Sequence, residues 1–152
     1  MTISQTLIDK VAESQFQGML DWQVADVLNA PDASLAYVKT DVSTSDVKEI
    51  LLSSLKWAAI VKAADSTSIN QNIRDVCIVV RDTFKETSTI VTTNPDIFAA
   101  TDGALSALLA AEIISQGVYD ALIALTNRRP SWAEYNNVTV TAREVGLARG
   151  AS

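Results

Sequence analysis

The chain has 152 residues, 48% hydrophobic and 20% charged, which suits one domain and argues against disorder over most of its length. Its net charge of −6, from 12 basic and 18 acidic residues, argues against a protein that coats nucleic acid, because phosphate contacts need clustered Lys and Arg. With no histidine and one cysteine, the chain lacks the commonest general base, the commonest metal ligand and any internal disulfide.

Thr2 and Gln5 have capping-box spacing, and a first helix is predicted from Gln5 to about Gln15. Asp21 is placed to cap a second helix with Trp22, Val24, Ala25 and Leu28 on its apolar side, ended by Asn29-Ala30-Pro31-Asp32. Leu35 to Lys39 has a weak extended pattern. Ser43 and Asp46 then open a long helix reaching about Ala64. Its apolar positions Val47, Ile50, Leu51, Leu55, Ala58 and Val61 recur at steps of three and four, and Leu52, Trp57 and Ile60 widen the stripe. Asp65 to Ser68 reads as a turn.

A further helix is predicted from Ile69 to about Lys85, with Ile73, Val76, Cys77, Val80 and Phe84 on one face. Its β-branched middle makes a strand at Val76–Val80 the alternative. The polar run Thr87–Thr93 is a loop, either an ordinary surface loop or a segment ordered by a partner. Asn94-Pro95 supplies a cap and then proline at the first helical position, opening a helix or helix pair to Ile114. Ser115 caps the next helix, to Thr126. Ser131 and Glu134 cap a single turn, Val138–Val140 is a short extended run, and Thr141 and Glu144 cap a last helix, Ala142 to Ala148. A small sheet is expected to pair Ala36–Lys39 with Val138–Val140. The expected fold is all-α: a compact bundle of about five or six helices in a single helical domain, residues 1–152, with at most a minor two-stranded β element.

Chemistry is sparse. The five glycines form no phosphate loop or dinucleotide fingerprint, and no EF-hand loop is present. Carboxylate pairs such as Asp46 with Glu49 or Asp82 with Glu86 read as solvated helix faces. Cys77 lies among apolar neighbours and reads as a buried, inert thiol. No catalytic residue, cofactor or metal ion is expected. The N-terminus lacks the pattern of a signal peptide, and the most apolar stretch, residues 104–114, is shorter than the roughly 20 residues of a membrane span. The expectation is a soluble protein made in the cytoplasm.

Charge is unevenly placed. Residues 1–43 carry Asp9, Glu13, Asp21, Asp26, Asp32 and Asp41 against Lys10 and Lys39, whereas residues 127–152 carry Arg128, Arg129, Arg143 and Arg149 against Glu134 and Glu144. An acidic head and a basic tail suit head-to-tail or hetero-association; a mixed solvated surface is the plainer reading. Arg128, Arg129 and Trp132 are candidate partner-binding residues, since Arg and Trp are enriched at interface hot spots, and Arg143 and Arg149 could extend the patch. The alternative has Arg128 and Arg129 complementing the end of the preceding helix dipole, with Trp132 in the core.

The segment Arg128-Arg129-Pro130-Ser131-Trp132-Ala133-Glu134, followed by Val138 to Gly150, resembles the end of small helical virion-associated proteins of tailed bacteriophages. Asp21–Asp32 and Ser43–Trp57 are also similar to them, so that the resemblance covers about half of the chain. It implies a structural or interaction component of a phage particle, at the head–tail junction or in the tail. Its partners would be other virion proteins and further copies of the chain, and it would be assembled in the host cytoplasm. A cytoplasmic protein-binding adaptor or regulator is the second expectation. A nucleic-acid role for the Arg128–Arg149 region is the third.

Overall fold

The structure, a computed structural model, describes residues 3–151, so the cap expected of Thr2 lies outside the described residues. The fold is mainly helical, as the periodicity predicts. Nine α-helices occur among the described residues where about five or six are expected, with four two-residue strands. The backbone groups into two compact units: Met1–Val38 with Arg129–Ser152, and Lys39–Arg128. The sequence reading treats the chain as one helical domain; each of the two units has a core of its own.

The first unit contains α1 (Gln5–Val11), a 3₁₀ turn (Ser14–Phe16), α2 (Asp21–Asn29), α8 (Trp132–Tyr135) and α9 (Ala142–Ala151). Leu20, and not Asp21, precedes α2: its amide donates to Gln23 Oε1 at 2.8 Å. Asp21 is the first helical residue, where the helix dipole favours a carboxylate. Val24, Ala25 and Leu28 are buried against α9, but Trp22 is 55% exposed, which corrects its placement on the apolar side. Ser131 and Thr141 cap α8 and α9 as their spacing predicts. Ser131 Oγ accepts from the Glu134 amide at 3.1 Å, and Thr141 and Glu144 bond reciprocally through each other's amides at 3.0 and 3.3 Å.

The second unit contains α3 (Thr44–Ser53), α4 (Lys56–Ala64), α5 (Gln71–Glu86), α6 (Pro95–Ala110) and α7 (Gln116–Ala124). The long central helix is therefore two helices. The hydroxyls of Ser53 and Ser54 donate back to the Ile50 carbonyl at 3.1 and 2.8 Å, competing with the helical backbone. Leu55 then takes a left-handed φ of 63° and is 79% exposed, so neither it nor the exposed Leu52 joins the core that Leu51 and Ile60 enter. The β-branched centre of α5 is helical, which settles the strand alternative at Val76–Val80. Asn94 and Ser115 cap α6 and α7 as expected.

The expected sheet is not formed. β1 (Val38–Lys39) pairs with β4 (Asn127–Arg128), and β2 (Val42–Ser43) pairs antiparallel with β3 (Thr89–Ile90). Val138–Val140 is irregular because its polar groups go elsewhere: the Val138 amide donates to Ala133 O at 2.9 Å, and Val140 O accepts from Asn29 Nδ2 at 2.7 Å. The Thr87–Thr93 run carries β3. Thr44 bonds to the carbonyls of Ser88 and Thr87, and Thr93 bonds to Asp41, so this loop is tied within its own unit.

Two helical glycines separate propensity from packing. A Cβ at Gly103 in α6 would meet nothing within 4 Å, whereas one at Gly146 in α9 would lie 2.8 Å from Asp21 Oδ2. Gly103→Ala should raise stability by roughly 0.5–1 kcal/mol. Gly146→Ala should give no gain, because Asp21 must move. In an Asp21→Ala background, Gly146→Ala should recover the gain. Urea denaturation of the four variants checks this.

Candidate functional site

The five expected partner-binding residues fall in both units. Arg128 is exposed in β4 of the second unit. The other four belong to the first unit, and two of them are engaged internally. The Arg129 guanidinium donates to the Leu35 carbonyl and stacks on the Tyr37 ring with its carbon 3.8 Å from the centroid. It therefore bonds to the Leu35–Tyr37 segment, five residues beyond the end of α7, and does not serve as a dipole partner of that helix. Arg149 donates from Nη1 to Met19 O at 2.8 Å and to Asp21 Oδ1 at 2.7 Å, and from Nη2 to Phe16 O at 2.8 Å. Gly18, at φ 79°, makes the turn that lets the Phe16 and Met19 carbonyls converge on that one guanidinium.

Trp132 is half-buried against the first core, with Lys10 Nζ 5.8 Å from its ring centroid. Arg143 is exposed, at the side of a hollow lined about equally by polar groups, such as Ser4 and Asn136, and apolar ones, such as Ile3 and Leu147. The complementarity between acidic head and basic tail is thus partly satisfied within the chain, through Arg149 and Asp21.

A second candidate site was not legible in the sequence. The second unit contains an open cleft of about 300 Å³ between α5, α6 and the β2–β3 ribbon. Of its lining residues, Val42, Thr92, Leu122 and Thr126 are buried, and Val79 and Ile97 are exposed. Its remaining lining is aliphatic or aromatic except for Thr83 and Thr101. All four threonine hydroxyls donate to backbone carbonyls: Thr83 to Val79, Thr92 to Thr40, Thr101 to Ile97 and Thr126 to Ile123. The sequence signal that could have exposed the cleft is the pair Ala100 and Ala104, small residues one turn apart on α6.

Cys77, Tyr119 and Asp32 are each perturbed by a different local cause. Burial pushes the Cys77 thiol up from its ordinary range. Tyr119 donates to Asp102 at 2.5 Å, and this bond holds its phenol above the ordinary value. The hydroxyl and amide of Ser34 hold the Asp32 carboxyl below its own. Among the described residues, no group of three or more His, Cys, Asp or Glu side chains is placed to hold a metal ion. No helix among them is long and apolar enough to cross a membrane.

Arg149→Lys keeps the charge but loses the planar fork, and at part-exposed hydrogen bonds of this kind it should cost about 1–2 kcal/mol in a urea titration. Cys77, fully buried and held protonated, should react with a disulfide reagent at pH 8 at least about a hundredfold more slowly in the native protein than in urea, with absorbance following the released thiolate.

Comparison with protein-family models, curated proteins and solved structures finds no match to this chain.

Proposed function

We propose that the protein is a non-enzymatic structural or interaction component of a tailed bacteriophage particle, at the head–tail junction or in the tail. Large side chains left uncovered on the first unit carry this reading: Trp22 is 55% and Tyr135 64% exposed, and Leu20 and Leu147 are also exposed. Exposed aromatic groups are suited to anchoring protein contacts, because they bury much area at little cost in side-chain entropy. The resemblance of Arg128–Gly150 to virion proteins supports the particle as the setting. In that setting the partners are other virion proteins and further copies of the chain. A ring of copies needs a heterologous interface, which different faces of one subunit can supply.

Native mass spectrometry of the purified protein should show a discrete oligomer, and mass spectrometry of purified particles should contain the chain. Trp22→Ala should weaken the oligomer at least about tenfold. A protein that stays monomeric at high concentration and is missing from particles would overturn the proposal. A stable monomer or dimer that captures a protein foreign to the particle would favour an adaptor instead.

A further inference from the structure

We infer that the cleft in the second unit is a binding site for a compact, uncharged hydrocarbon ligand. Chemistry, shape and size each bear on this.

The chemistry selects against polar ligands. A charged or strongly polar molecule entering the cleft would lose hydration and need donors or countercharges in return. The hydroxyl protons that Thr83, Thr92, Thr101 and Thr126 could have offered are donated to carbonyls of Val79, Thr40, Ile97 and Ile123. What remains for a ligand is mainly a surface of methyl and methylene groups with the Phe84 ring, and threonine oxygens that can accept but no longer donate. Anions and phosphates find no donor or countercharge among these side chains, whereas an aliphatic chain or an aromatic ring gains from leaving water.

Shape separates the cleft from a flat apolar face. Its lining comes from α5, α6, α7 and the β2–β3 ribbon and encloses about 300 Å³. A ligand would therefore be contacted from several elements at once. The space exists because α6 carries alanine at 100 and 104, where larger side chains would fill it. A volume of about 300 Å³ stands at the lower end of the range for ligand pockets, which suits one ring system or a short chain and not a whole lipid.

The test uses the neutral fluorophore N-phenyl-1-naphthylamine, with 1-octanol as competitor. The expected result is saturable one-to-one binding in the micromolar range, reversed by octanol. Ala104→Phe should lower affinity at least about tenfold while leaving the helical circular dichroism intact. Gly103→Ala, on α6 but outside the cleft lining, should bind as the wild type does. Methyl spectra of the wild-type protein should show ligand-induced shifts centred on Val79, Val80 and Leu122; if Ala104→Phe fails to fold, this map decides the matter. Absence of saturable binding up to about 1 mM probe, shifts centred elsewhere, or affinity that survives a folded Ala104→Phe would each overturn the inference. The oligomeric state of the same samples reports separately on the particle role.

Discussion

The guanidinium of Arg149 joins residues near the start of the chain to its last helix, through the carbonyls of Phe16 and Met19 and the carboxylate of Asp21. The first unit is tied across its two segments by this contact. It is assembled from two segments separated by residues 39–128, and neither segment alone can bury the core that Leu7, Val24, Leu28, Val145 and Ala148 form together. Arginine is suited to the task because its planar fork can satisfy several fixed acceptors at once, and a partly exposed site avoids the full cost of desolvating the charge. The same contact constrains its neighbours. Gly18 turns with positive φ, and a Cβ at Gly146 would displace Asp21 Oδ2 from its place.

The second unit eases the closure of the first. Its two ends are held together within it by the Thr40 amide on Thr126 O at 2.8 Å and by Lys39 Nζ on Asn127 Oδ1 at 3.0 Å. Once it is folded, the long intervening segment no longer counts as free chain in the entropy of joining residues 16–21 to Arg149. Threonine has a repeated part in this unit. Thr40, Thr92 and Thr126 are linked by backbone and hydroxyl bonds beside the cleft, so the groups that steady the strands also withdraw polar character from the cavity wall.

Two features of the units bear on the proposed roles, and they differ in kind. The first unit leaves Trp22, Tyr135, Leu20 and Leu147 exposed, side chains suited to protein contact. The second offers a concave, proton-poor cleft suited to a small apolar group. Of the side chains that stood out in the sequence as partner contacts, Arg129 and Arg149 are bonded within the first unit, whereas Arg128 and Arg143 are exposed.

Local signals were readable in the sequence wherever one residue acts on its neighbours. The caps at Asn94, Ser115, Ser131 and Thr141, the helical run around Cys77 and the mainly helical class all follow from interactions within about one turn. What periodicity misread are places where a side chain, local or distant, competes for the backbone. The stripe through Leu52 and Leu55 is continuous in sequence, but two serines break the helix and leave both leucines in solvent. Val138–Val140 looks extended, but Asn29 and Ala133 take its polar groups before any strand can. The pairing of Val38–Lys39 with Asn127–Arg128, the Arg149 clamp and the cleft beside Ala100 and Ala104 bring together residues far apart along the chain or on separate helices. Residue spacing carries no record of such contacts, because their energy exists only after the backbone has closed around them.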